Sequence, residues 1–282
     1  YILAQHNDCE NKNIVANLWM EPVVYKNVIQ FVIYGLKCYN LRKENILRVN
    51  CYIGFRIGGV IVDKDLLKAK VCAAIDDSAA EIEALANSIA DEPELGFKEV
   101  KTSAKVVEFF RVLGLEPQTG FAINGVKARA KGCKPGPTAA VIGELDAVGC
   151  PDSCKADPMT GAAHACGHNL QIAAMAGAAC GIMKSGVMEQ LAGDAVFFAV
   201  PAEEYIEIAY RKKLREQGKL HFLSGKGQLI YEGAFDDIDM AMQMHSDKNM
   251  PEPTVSVGES SNGFLGKTVR YRSEERRVGK EC

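Results

Sequence analysis

Two imidazoles and a thiol fall within the run Gly161-Ala162-Ala163-His164-Ala165-Cys166-Gly167-His168-Asn169, directly ahead of an apolar segment. A thiolate and an imidazole two residues apart are good ligands for a borderline-soft divalent ion, and Gly167 leaves the backbone free to turn both toward one point. Three other segments place ligand-type side chains just past apolar runs. Glu203 and Glu204 follow residues 195–200, His245 follows 238–242, and Asp146 follows 139–143. Those are the positions where buried strands would end, and open α/β sheets build their sites at that edge. Adjacent acids such as Glu203 and Glu204 repel when buried unless a cation neutralises one of them. A division of labour follows, in which one carboxylate binds metal and the other takes a proton from the water it activates. The mixture of S, N and O donors suits zinc, with manganese and cobalt as alternatives.

Other chemistries use the same residues. Cys166 between His164 and His168 has the makings of a thiol nucleophile, but a catalytic Cys–His pair normally meets through the fold and not two residues apart in sequence. Cys150 and Cys154 with Cys166 could knot a structural zinc, at irregular spacing and with no use for the Glu pair. His245 also reads as a strand-end histidine, Asp146 as a turn residue, and His221 as a surface histidine in a Lys-rich stretch. Gly258-Glu259-Ser260-Ser261-Asn262 lacks the second glycine of a nucleophile elbow, and no phosphate loop is present.

The elements that must position these residues alternate in type. Leu67, Val71, Ile75, Ile82, Leu85 and Ile89 form one helical stripe, ended by Pro93. Thr102 is placed to cap a second helix with Val106, Phe110 and Leu113 on one face, stopped by Gly114. Val126–Ala130 alternates like a strand, and Pro135-Gly136-Pro137 turns the chain into a short buried strand, Ala139–Gly143. Leu170–Met183 is a helix rich in Ala and Gly that can lie close against a sheet. Ala195–Val200 and Ile238–Met242 read as further buried strands. This order implies an α/β layer fold.

Composition narrows the partners. A net charge of −3 gives no basic field for nucleic acid or an anionic membrane surface, and no apolar run approaches the roughly 20 residues of a membrane span. Ten cysteines without regular pairing suit a reducing compartment, so a cytoplasmic location is expected. The two ends read differently from the rest. Residues 1–61 are rich in Asn, Tyr, Ile and Lys without sustained period. Gly58-Gly59 can be encoded as a ribosome-binding GGA GGT, with Val62 as a GTG start. Arg272–Cys282 is what a common sequencing-adapter DNA yields on translation. The expected division is a non-native leader over 1–61, the first part of a catalytic domain over 62–253, the end of that part and the start of a lid over 254–271, and an adapter-derived tail over 272–282. Both ends are expected to pack poorly on the core.

Gly143-Glu144-Leu145-Asp146-Ala147, His164-Ala165-Cys166-Gly167-His168-Asn169, Pro201-Ala202-Glu203-Glu204 and Met244-His245-Ser246, in this order, resemble the M20 metallopeptidases. The nearest likeness is to their amidohydrolase branch, which acts on aminobenzoyl-glutamate, auxin conjugates, N-acyl amino acids and dipeptides. Pro93–Glu99 also looks like that branch, and the resemblance spans about 63–271. It implies a three-layer α/β/α aminopeptidase-like catalytic domain and a small α+β lid that often makes a homodimer. By motif position Cys166 would bridge two divalent ions, His168 and Glu204 would each bind one, His245 would be a further ligand, and Glu203 the general base. Asp146 matches the acidic position beside the site, and Glu144 stands where many members have a metal-binding His. Gly149 and Cys150 depart from a usual Pro-containing loop, and the family's last metal-binding His, near the C-terminus, has no counterpart here. The implied reaction is metal-assisted amide hydrolysis of a small substrate, with the chain as it stands expected to be inactive. A zinc that only braces the fold is the competing expectation; it would have no use for the free carboxylate of Glu203.

Overall fold

The computed structural model describes residues Phe55–Ile57 and 60–246. The expectations for the chain before residue 55, for strands at 254–257 and 268–271, and for the tail from Arg272 lie outside the described residues. A short antiparallel hairpin, β1 (Phe55–Ile57) and β2 (Val60–Val62), leads into the helical layer.

Helix α1 (Lys64–Asp77) is capped by Asp63, whose Oδ1 accepts from Asp65 N at 2.9 Å and Leu66 N at 3.3 Å. The stripe from Leu67 to Ile89 is buried as expected but belongs to two helices, because the chain breaks at Ser78 before α2 (Ala79–Ala90). The Ser78 hydroxyl donates back to Ala74 O at 2.7 Å, a local bond that competes with the helical ladder. Helix α3 (Val100–Val112) starts on the Glu94 carboxylate, which accepts from Lys101 N and Thr102 N at 3.2 and 2.8 Å. Thr102 is therefore a buried residue of the first turn and not the cap. Gly114, at φ +78°, closes the helix, with Leu115 N donating to Phe110 O at 3.0 Å.

The remaining elements are β3 (Gln118–Phe121), β4 (Gly125–Ala130), β5 (Lys134–Glu144), β6 (Val148–Gly149), β7 (Ala162–Ala163), α4 (His168–Ser185), β8 (Ala192–Val200), α5 (Ile208–Glu216), α6 (Gly225–Tyr231) and β9 (Met240–Gln243). Five strands form one mixed sheet in the order β3-β4-β8-β5-β9. β8, β5 and β9 run parallel, while β4 is antiparallel to both β3 and β8. The Pro135–Pro137 segment does not turn ahead of the strand. It lies inside β5, where the register with β8 shifts between Lys134 and Thr138 opposite Gly193, whose φ is +84°. β9 is shorter than expected and only half buried, because it edges the sheet among the described residues.

Alternation along β8 separates the layers. Ala195, Phe197 and Ala199 face α2, α3 and α4, whereas Val196, Phe198 and Val200 face α5 and α6. This is a three-layer α/β/α domain. α4 is buried along nearly its whole length, and it crosses β5 so closely that a Cβ on Gly143 would stand 3.0 Å from Ile172 Cδ1. Among the described residues no helix is long and apolar enough to cross a membrane.

Candidate metal centre

The three parallel strands end at Glu144, Val200 and Gln243, and the residues just past them converge on the first turn of α4. Gly167 caps that turn at φ +83°, and a Cβ there would collide with Ser246 Oγ at 2.6 Å. The left-handed backbone favours glycine there, and it sets Cys166 and His168 on either side of the turn. The ladder of β6 with β7 pins Ala162-Ala163 beside Val148-Gly149, which brings residues 164–168 back to the end of β5.

His168 is the hub. Its Nδ1 lies 2.7 Å from Asp146 O and donates to that carbonyl, which turns Nε2 to face the site; burial works to lower the ring's pKa, but Asp146, Cys166 and Glu144 raise it above the ordinary value. Nε2 is buried without a well-aligned hydrogen bond, although Glu144 Oε2 stands 3.0 Å away. Glu203 Oε2 and Glu204 Oε1 are almost equally distant from it, at 3.9 and 4.0 Å. On the other side Cys166 Sγ sits 3.5 Å from His245 Nε2, and the two histidine rings meet edge to face at 6.2 Å. Two groups of donors, each within 4.8 Å, result: Cys166–His168–His245 and Glu144–His168–Glu203. We call these the sulfur side and the carboxylate side. Cys150 and Cys154 belong to neither, nor does Glu204, whereas Glu203, expected as the base, falls in the carboxylate group.

The electrostatics match a site built for positive charge. Hydrogen bonds from His168 and His245 hold the Cys166 thiol below its ordinary range, and the Cys166 contact pushes His245 up to about 9. Burial works to raise Glu144, yet His168 and Lys226 hold its carboxyl below the usual range. Burial and the neighbouring Glu144 and Glu204 raise Glu203. Asp146 braces the Glu pair from beneath: Oδ1 accepts from Glu203 N at 3.1 Å and Oδ2 from Glu204 N at 2.9 Å. An orphaned imidazole nitrogen among a thiol, a second imidazole and three carboxylates fits a divalent ion.

Glu144, placed by its motif where many M20 members have a metal-binding His, is 1% exposed and also accepts from Gln171 Nε2 at 2.9 Å. Other supporting residues gave little sign in the sequence. Arg211, fully buried, lies inside a segment that reads as solvated charge; it donates to Leu223 O at 2.8 Å, to Ala202 O at 3.3 Å and to Glu204 O. From the opposite direction Glu99 accepts from Ala202 N at 2.7 Å and from Asn124 Nδ2 at 2.9 Å. Together they grip Ala202, which holds φ +51°, a left-handed conformation that alanine rarely adopts. This grip aims the Glu203-Glu204 pair. His164 faces no ligand group; burial drives it down to about 4, and neither ring nitrogen has a partner.

Fold and side chains thus define an α/β/α domain with a candidate S, N, O metal centre at the carboxyl edge of its parallel strands. No family model matches the chain. In sequence it is similar to thermostable carboxypeptidase 2 of Saccharolobus solfataricus, 28% identical over 167 residues that make up 58% of this chain and 38% of that protein. It is also similar to N-acetylcysteine deacetylase of Bacillus subtilis, 26% identical over 176 residues, 60% of this chain and 40% of that one. In fold it is similar to the Bacillus subtilis YXEP protein, a dinuclear metal binding peptidase from the M20 family. The TM-score is 0.54 at 23% identity, covering 65% of this chain and 48% of that one. The resemblance to M20 peptidases and amidohydrolases read from the motifs therefore holds, and the chain spans less than half the length of these relatives.

Proposed function

We propose that the protein is a metal-dependent hydrolase that cleaves the amide bond of an N-acyl amino acid, an aminobenzoyl-glutamate-like conjugate or a dipeptide. The observation that carries this is the His168 imidazole, fixed through Nδ1 and presenting an unpartnered Nε2 to Glu144, Glu203 and Glu204, with Cys166 and His245 alongside. Cys166, His168, Glu204 and His245 are the residues to hold divalent ions, two in number, with zinc the best match to the donor set. Bound ions would supply Lewis acidity toward the scissile carbonyl and lower the pKa of an attacking water. Glu203 is the general base: its raised carboxyl suits proton transfer nearer neutral pH, and it can return the proton to the departing amine. Asp146 orients both His168 and the Glu pair.

The substrate class rests on the relatives' names, a carboxypeptidase and a deacetylase of an acylated amino acid. A homodimer made through a lid and a cytoplasmic location complete the proposal, the first from the family resemblance and the second from unpaired cysteines. The test is removal and return of metal. In the full-length enzyme, chelation should abolish hydrolysis of a panel of N-acyl amino acids and dipeptides, and zinc should restore it. Loss of thermal stability on chelation, with no hydrolysis before it, would favour the structural zinc instead.

A further inference from the structure

The carboxylate side of the centre already contains a cation. Lys226 Nζ pairs with Glu144 Oε1, while the other oxygen of the same carboxylate lies 3.0 Å from His168 Nε2. Glu144 is 1% exposed and the Lys226 side chain 37%, so the ammonium reaches in from solvent to a buried anion. The backbone delivers it firmly. Gly225, just before Lys226, donates its N–H to Ala202 O at 3.0 Å and packs so tightly on the Pro201 carbonyl that no side chain fits there. The helix carrying Lys226 is thereby joined to the loop carrying Glu203 and Glu204.

An ammonium on Glu144 uses the same attraction that a divalent ion would use. An ion entering the carboxylate side must take Glu144 from Lys226 or accept its positive charge as a close neighbour. Among the described residues no lysine or arginine pairs with Cys166, His168 or His245 on the sulfur side. Resting on the metal-centre reading above, we propose that Lys226 is the resident cation of the carboxylate side. It holds the Glu144 carboxylate in place, and it makes this side the weaker of two ion-binding positions.

The test is equilibrium dialysis with zinc alone, paired with a cobalt titration whose thiolate charge-transfer band reports the Cys166 side. The parent protein should take one zinc tightly and a second more weakly. Lys226→Met should tighten the second by roughly tenfold or more without moving the thiolate band's titration. Lys226→Gln should do the same and keeps the test open should the methionine variant fail to fold. Lys226→Arg, which preserves the charge, should retain the parent affinities. A second affinity that stays unchanged or weakens in the neutral variants would overturn the role of Lys226 while leaving the centre standing. A parent that binds no zinc would overturn the metal centre, and this inference with it.

Discussion

The two faces of the central sheet are held by different means. On one, Phe197 packs on Phe110, with ring centroids 6.0 Å apart, beneath the Ala- and Gly-rich α4 and the apolar stripes of α2 and α3. On the other, two short helices pack Leu214 and Leu229 into a cluster with Phe198, but the organising side chain is Arg211, buried, with its terminal nitrogens donating to backbone carbonyls. The apolar face supplies stability without direction, since burial is non-directional. The polar face supplies direction, because two of these hydrogen bonds fix the Ala202 and Glu204 carbonyls of the loop that carries the Glu pair, and the third ties them to Leu223. The centre is aimed from the side of the sheet with less apolar substance.

Substitutions on the two faces should accordingly fail in different ways. The largest effect is expected for Arg211→Met, which removes three charge-assisted hydrogen bonds and leaves Leu223 O without its donor, while Ala202 O keeps Gly225 N and Glu204 O keeps Ile206 N. A loss on the order of 5 kcal/mol in urea unfolding is expected, together with weakened zinc binding. Phe197→Ala should cost about 3–4 kcal/mol through lost burial and a cavity, while its zinc affinity stays at the parent value. Equal damage to zinc binding by both variants would erase the distinction between the faces.

A smaller effect concerns pH. Burial, and then the charge of Asp146, push the Glu99 carboxyl up to about 7 from the ordinary 4.5. The folded state thus keeps a proton that the unfolded chain releases. Stability from this group is full below about 4.5, declines as pH rises toward 7, and is lower by on the order of 3 kcal/mol beyond that. Glu99→Gln, which can still accept from Ala202 N, should flatten the dependence over this interval. Unfolding midpoints that track the parent at every pH would contradict the assignment.

The same contrast governs what could be read from the chain beforehand. Apolar spacing marks α1 to α4 and the run that becomes β8, because burial of one face imposes a period. Ligand-type residues at strand ends mark Asp146, Glu203, Glu204 and His245 for the same reason, since the strands themselves are apolar. α5 and α6 escaped notice. Arg211-Lys212-Lys213-Leu214-Arg215-Glu216 has the composition of a solvated surface, and a buried arginine leaves no periodic trace; the Tyr210–Leu214 spacing is the faint signal that remains. Lys226 was equally silent, for its role depends on a carboxylate 82 residues away in the chain. The break at Ser78 turns on a single hydroxyl bond, which stripe-reading does not resolve.

The most direct test of the account separates the two adjacent acids, whose oxygens lie at nearly the same distance from His168. Zinc content by elemental analysis should be measured beside turnover of N-acyl amino acids and dipeptides, in the full-length parent enzyme and its Glu203→Gln and Glu204→Gln variants. Glu204→Gln is expected to lose zinc and activity together. Glu203→Gln is expected to keep its zinc while its rate falls by roughly 10²–10⁴, the usual cost of a missing general base. A Glu203→Gln protein that hydrolyses at the parent rate with an unchanged pH profile would contradict the account.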